Sequence, residues 1–356
     1  KIGPLTGYKI VEFSSYPVGS ILGMLLCDQG AKVIRVESQP NGPVFINAEE
    51  RSVWHRGKDS INIDLSDKSG FAKLFGEIHE ADVIIYDHHP DHFEEYDLSY
   101  TSLSKENPGL ICVSLPGFPR GHIYEDLPPD EGIVAAASGI YSFNPSGEQP
   151  VEGEGPSFHA LPYASTFSAI TASTAVVAAL FHRVKHGSGQ QITVPVHDAM
   201  YQGMGSALVR HSKRSHGNQE GHPVIKRFYR CKDNRWINVN ISIPRFLQPF
   251  LESINHPEWL EPLTDSKTLV ADELSRKHWT NQFADVWLGR TAIQWENEMA
   301  ELGIPGTMCR TIDEWLDSEH SVAAGTTITV EDPVLGKIKQ PGRIVRLNNQ
   351  DNEGHD

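Results

Sequence analysis

The residue types most able to do chemistry in this chain occur in three places, and each must be read with its spacing. Asp87-His88-His89-Pro90-Asp91-His92 has the composition of a metal site. Adjacent residues of an extended segment point to opposite faces, however, and no HExxH or spaced carboxylate accompanies them, so a metal centre is not expected. The four cysteines, Cys27, Cys112, Cys231 and Cys309, lie far apart without a CxxC pair. That pattern points to neither a zinc knuckle nor a disulfide framework and fits a reducing cytoplasm. The segment Ser14-Ser15-Tyr16-Pro17-Val18-Gly19-Ser20 stands where a nucleotide-binding fold carries its phosphate turn. It lacks GxGxxG, and GxxxxGK[ST] is absent from the chain, which argues against nicotinamide dinucleotides and P-loop nucleotides. Ser14 and Ser20 read as helix caps, and Gly19, Gly57 and Gly189 as turn residues.

Hydrophobic periodicity supplies the elements that must position such residues. Lys9 to Phe13 reads as a buried strand, Ile21 to Asp28 as a helix and Lys32 to Glu37 as a second strand, which makes a parallel strand-helix-strand unit. Strands at Ser60 to Asp64, Asp82 to Tyr86 and Leu110 to Leu115, with a helix over Lys68 to Glu80, continue the alternation. The result is an open α/β sheet whose ligand sits at the carboxyl ends of its strands. Pro116 to Pro162 is rich in Gly and Pro apart from Gly132 to Ile140, which can be helical. Ser165 to Val184, made of Ala, Ser, Thr and Val, predicts a buried helix in close contact with its neighbours. A strand over Gln191 to Val196 leads into a helix near Asp198.

A polar stretch, His211 to Gly221, then reads as a linker. Beyond it, Phe228 to Cys231 and Trp236 to Ile241 form a hairpin, followed by helices around Arg245 to Ile254, Ala271 to Trp287 and Ala292 to Leu302. The expected organisation is a Rossmann-like large domain over 1–210, a linker over 211–222, a smaller α+β domain over 223–320 and a segment over 321–356 returning towards the large domain.

Composition narrows the function classes. The chain has 356 residues, 39% of them hydrophobic, enough for a full core. Its formal charge of −15 is spread over scattered Asp and Glu, so nucleic acid is not an expected partner. No run of apolar residues approaches the length needed to span a bilayer and the first residues lack a signal-peptide layout, so a soluble, cytoplasmic protein without a membrane partner is expected.

Several blocks, in order along the chain, are similar to one family. Pro4-Leu5-Thr6-Gly7 with Ile10-Val11-Glu12-Phe13, Leu25 through Glu37, Arg56 through Leu65, Ala81 through Ile85 and Asn107 through Ile111 resemble the opening motifs of the family III coenzyme A-transferases. Ala178 through Arg183, Gly187-Ser188-Gly189-Gln190 and Asp198-Ala199 continue the resemblance. So do Gly289-Arg290-Thr291, Trp295 and Gly303-Ile304-Pro305. The resemblance implies an interlocked dimer, either of two copies or with a paralogous chain, and no resident cofactor. Coenzyme A and acyl-CoA enter as substrates, beside an organic acid. It places CoA at the ends of the first strands, against Ser15, Tyr16, Arg35, Ser38, Arg56, Lys58, Asp87, His88 and His89.

The resemblance also implies a nucleophilic aspartate, and counting back from Leu180 puts that position at Ser165. A serine needs a general base to attack a thioester and cannot form a mixed anhydride; its structural reading is a helix N-cap. The position of a racemase histidine holds Asp130, which disfavours that branch of the fold. Asp87 and Asp91, near the expected phosphates, would repel them. Three readings stay open. The chain can be the aspartate-lacking subunit of a heteromeric transferase, as in succinyl-CoA:benzylsuccinate CoA-transferase. It can be an acyl-CoA lyase or hydratase, or an autonomous transferase with an altered nucleophile.

Overall fold

Short runs of β-branched and aliphatic residues build the sheet, because its inner strands are covered on both faces. In the computed structural model, which describes residues 3–38, 47–63, 68–87, 97–142, 161–208 and 222–345, the first unit begins with β1 (Lys9–Phe13), α1 (Pro17–Asp28) and β2 (Lys32–Ser38). It continues through α2 (Ala48–Trp54), β3 (Asp59–Ile63), α3 (Lys68–His79), β4 (Val83–Tyr86), α4 (Tyr100–Glu106) and β5 (Ile111–Ser114). α5 (Glu131–Ser138), α6 (Tyr163–His186), β6 (Gln191–Thr193) and α7 (Val196–Gly203) complete its main part. The six strands form one parallel sheet in the order β3-β2-β1-β4-β5-β6. All β4 and β5 residues are buried, as expected of a parallel sheet covered on both faces.

Period-two alternation sorts the side chains into two cores. Ile10, Val33, Val83, Ile85, Ile111 and Val113 face α1 and α6, while Val11, Val36, Ile84, Tyr86 and Cys112 face α3 and α4 through Leu74, Ile78 and Leu103. α1 starts four residues before the expected Ile21, because Pro17 at the first helical position has the right φ and no amide to leave unpaired. Its N-cap is Tyr16 without a side-chain cap, so neither Ser14 nor Ser20 caps it: Ser14 precedes the helix, and Ser20 is buried inside it. Gly19 is helical, and a Cβ there would press on Ser14.

α6 differs from its expectation in a more consequential way. It runs for 24 residues with a stretch of mean hydropathy 1.6, so among the described residues one helix does have the length and apolar character of a membrane span. Only 44% of that stretch is buried. The small residues Ala164, Ser168, Ala169, Ala172 and Ala179 face the core beside α1 and α7, whereas Tyr163, Phe167, Ile170, Val177, Phe181 and Val184 are exposed.

The second unit covers described residues 222–318. Here β7 (Lys226–Arg230) and β8 (Trp236–Asn240) form the expected hairpin, turning through Asn234 at φ 65°. α8 (Pro244–Ser253), α9 (Leu260–Thr264), α10 (Ser266–Ala271), α11 (Glu273–Trp287) and α12 (Ala292–Glu301) follow. β9 (Gly306–Met308) then adds antiparallel to β8, and α13 (Ile312–Leu316) ends the unit. Its core is aromatic: Trp287 stacks on Phe250 and Tyr229, and Trp295 Nε1 donates to the Trp287 carbonyl at 2.9 Å. α14 (Glu319–Ala323) and the antiparallel pair β10 (Thr327–Asp332) and β11 (Gly336–Pro341) belong again to the first unit. The linker over 211–221 lies outside the described residues.

Candidate active site

The strand order reverses between β1 and β4, and an open parallel sheet has its crevice outside the carboxyl ends at that point. β1 ends into Ser14, Ser15 and Tyr16; β4 ends into Asp87. The structure closes these two ends on each other, since Asp87 Oδ2 accepts hydrogen bonds from the amides of Ser15 at 2.5 Å and Tyr16 at 2.6 Å. Three residues expected to meet CoA therefore do lie together. A buried protein carboxylate occupies the amides that an incoming phosphate would otherwise find. Burial, and then the charges of Asp87 and Asp130, raise the Tyr16 hydroxyl above its ordinary pKa.

The expected phosphate-holding cations sit differently. Arg35 pairs in register with Glu12 on the neighbouring strand and is 1% exposed, on the sheet face that α1 covers. Its Nη1 lies 2.8 Å from His55 Nδ1 and its Nη2 donates to the Ser14 carbonyl at 3.4 Å. His55 is held down to about 2 by burial and then by Arg35, Lys58 and Arg51, so it is a neutral acceptor. Lys58 Nζ donates to Glu12 Oε2 at 2.6 Å and to the Ser20 carbonyl at 2.8 Å. Arg56 grips Asp28 through Nη2 at 2.5 Å and Nε at 3.2 Å, and its Nη1 reaches the Pro341 carbonyl at 3.2 Å.

Each of the three cations thus has an internal partner. Strand alternation and the close approach of α1 over Gly23 direct Arg35 and Lys58 beneath that helix, where a phosphate would have to displace existing contacts. Ser38 ends β2, and His88 and His89 lie outside the described residues.

A second group assembles where α5 meets α6. Asp130 is the N-cap of α5, its Oδ1 accepting from the Ile133 amide at 3.0 Å, which explains its identity without a catalytic role at that atom. Ser165 is not an N-cap. α6 begins two residues earlier, after Pro162, and has no side-chain cap of its own. Glu131 supplies what Pro162 cannot: Oε1 accepts from the Ala164 amide at 2.9 Å, and Oε2 from the Ser165 amide at 2.9 Å and the Ser165 Oγ at 2.8 Å. Ser165 itself is fully buried. Burial first, then Glu131 and Asp130, raise the Tyr141 hydroxyl. Asp130 adds the smallest share to the rise at both tyrosines, after burial and another carboxylate.

Glu131 and Tyr141 are the residues that sequence reasoning missed. The available signal was Asp130-Glu131 ahead of an apolar run closed by Gly139: an N-cap followed by an acidic first-turn residue. Nothing in that signal says which helix the carboxylate faces.

Comparison with known proteins agrees in kind with this architecture. The pattern of CoA-transferase family III matches residues 5–355. The chain is 26% identical over 400 residues to the CoA-transferase/lyase DddD of a Marinomonas species, covering 98% of this chain but only 46% of that protein's length. It is 25% identical over 366 residues to the succinyl-CoA–L-malate CoA-transferase alpha subunit of Chloroflexus aurantiacus, covering 97% of this chain and 83% of the relative. Among solved structures, a hypothetical protein of Mycobacterium tuberculosis superposes with a TM-score of 0.80 at 22% identity, over 98% of this chain and 94% of its own, a likeness of fold.

Proposed function

The chain belongs to CoA-transferase family III, and from that premise we propose that it moves CoA between an acyl-CoA thioester and a free carboxylic acid as one subunit of an interlocked dimer. The observation that carries the reading is the match along nearly the whole chain, across both units. Chemistry then constrains the site. Passing CoA from one acid to another without a further energy source requires that the acyl group stay activated throughout, which an enzyme carboxylate achieves by forming an anhydride and a serine ester does not. Ser165 is therefore not the attacking group at the position where the family resemblance puts it.

The exposed face of α6 supports the dimer. Tyr163, Phe167, Ile170, Thr174, Val177, Phe181 and Val184 follow one another at steps of four and three residues, the spacing of a helix seam that packs against a partner. The occupant we assign is a second chain of this fold, identical or paralogous; one relative is itself named an alpha subunit. CoA enters at the β1–β4 crevice, with Ser15, Tyr16 and Asp87 at its floor. The internal pairs of Arg35, Arg56 and Lys58 hold α1 and the strand ends beside the crevice, and Ser38, with His88 and His89 outside the described residues, is assigned to the same group.

Taken by itself, residue 165 makes the chain a non-catalytic partner of a paralogue that carries the aspartate. The placement of Glu131 favours a chain that performs chemistry itself. The test is an exchange assay: the chain, alone and with any paralogue encoded beside it, is incubated with succinyl-CoA and a panel of carboxylic acids, and new thioesters are read by mass spectrometry. Exchange supports transferase activity. Release of modified acyl-CoA without exchange indicates a lyase or hydratase, and a folded monomer at micromolar concentration rejects the dimer.

A further inference from the structure

Glu131 meets the first turn of α6 from outside that helix. Its side chain leaves a different helix, crosses to the position that the family-level reading assigns to the nucleophile, and lies 2.8 Å from the Ser165 hydroxyl. All the polar contacts recorded for it are donors, two amides and one hydroxyl, and among the described residues none of them is a cation. Amide and hydroxyl donors orient the carboxylate without pairing it with a formal cation. Oε2 takes two of the three bonds and Oε1 one, so one oxygen is anchored and the other is the less encumbered.

We propose that Glu131 is the attacking carboxylate of this chain, supplied from α5 at the place where residue 165 has none; the assignment rests on the transferase reading. Oε1 adds to the thioester carbonyl carbon, the C–S bond breaks, and CoA leaves as thiolate from a mixed anhydride between the acyl group and Glu131. The thiolate then attacks Cδ of Glu131 and the bond from Cδ to the bridging oxygen breaks. The first acid departs as carboxylate, carrying that oxygen, and a glutamyl-CoA thioester remains.

The acceptor carboxylate reverses both steps. It attacks Cδ and expels the thiolate, which takes the new acyl group and restores the Glu131 carboxylate. One negative charge is carried through every step, and no proton, oxidant or further reactant is needed. The amides of Ala164 and Ser165 stay aimed at the carboxyl group throughout, positioned to hold the charge that returns whenever Glu131 is the leaving group.

The oxygen bookkeeping provides the test. The dimer, with its paralogue where one exists, is turned over with an unlabelled acyl-CoA and an acceptor acid carrying ¹⁸O in its carboxylate, then digested, and the peptide containing Glu131 is weighed. The expected result is label in the Glu131 carboxylate, together with a loss of exchange of about 10³-fold or more in Glu131→Gln. Glu131→Gln keeps one of the two oxygen acceptors for the α6 amides, and circular dichroism checks that it folds. Should it not fold, the label experiment on the unaltered protein still decides.

Exchange that proceeds with Glu131 unlabelled overturns the assignment and leaves the transferase reading intact. Label confined to an aspartate of the paralogue does the same. Absence of exchange with every acid and in every assembly overturns both.

Discussion

Two carboxylates buried or half-buried in the first unit, Glu12 beneath α1 and Glu131 at the α5–α6 junction, show how much a partner decides. Glu12 is fully buried and bonded to Lys58 at 2.6 Å, with Arg35 opposite it in register. Its charge is matched inside the fold, and burial, which outweighs the attraction of Glu12, lowers the Lys58 pKa. Glu131 is held by two amides and a hydroxyl. The first arrangement fixes a helix over a sheet and leaves nothing for a substrate; the second leaves a charged oxygen facing neutral donors. Ionisable residues at the end of a parallel sheet are thus not equivalent, and their opposite numbers separate scaffold from chemistry.

The contrast is broken most directly at the two ends of its range. Glu131→Gln should lower CoA exchange by about three orders of magnitude and cost about 1–3 kcal/mol of stability, since Gln offers the α6 amides one oxygen where Glu131 offers two. Lys58→Met should act chiefly on stability. Stranding the buried Glu12 should cost about 3–5 kcal/mol of stability in urea titration, and Glu12→Gln with Lys58→Met should recover much of it. If Lys58→Met is as stable as the parent, the pair is not the fixed element described.

Gly23→Ala probes the same region more gently. A Cβ there would run into the Glu12 carboxylate and the Lys58 ammonium, so a loss of about 1–3 kcal/mol is expected. Ser165→Ala, which removes one hydroxyl bond to Glu131, should reduce exchange only about three- to tenfold. A dead but folded Ser165→Ala protein would show that the Ser165 hydroxyl does more than donate one bond to Glu131.

The last effect is a slope. His55 is neutral in the fold, with its pKa lowered from 6.5 to about 2, so the unfolded chain binds one more proton at this site below about pH 6.5. Its contribution is full above pH 6.5 and is progressively lost as the pH falls towards 2. His55→Gln should flatten stability against pH between 6 and 4; an unchanged slope would show that the ring is not held neutral by burial beside Arg35 and Lys58.

Much of this was legible in the chain. Ile10-Val11, Val33-Ile34, Val83-Ile84-Ile85 and Ile111-Cys112-Val113 are continuous apolar runs, and such runs bounded by turns and alternating with helical patterns have few solutions other than a parallel sheet covered on both faces. Gly187 at φ 75° closing α6, the Thr291–Gln294 capping box opening α12 and the turn at Asn234 are local signals with local physical causes, and the elements they bound lie within a few residues of expectation. The motifs of the family lie on the same short range. What a residue says about its own backbone, and about neighbours three or four positions away, survives without knowledge of the fold.

The rest depended on what crosses between elements. Arg35 and Lys58 read as cations free for phosphates until strand register set one beside Glu12 and packing of α1 covered both. α6 read as a buried helix from its length and small residues; only packing against α1 and α7 shows that its small residues face inward and its large ones outward. Glu131 and Ser165 are 34 positions apart and carry no mark of each other, since a hydrogen bond between two helices is fixed by the angle and distance at which they pack. Local propensity and hydrophobic period are properties of the sequence itself, whereas the partner of a charge is decided by tertiary geometry, and here that partner distinguishes a structural carboxylate from a reactive one.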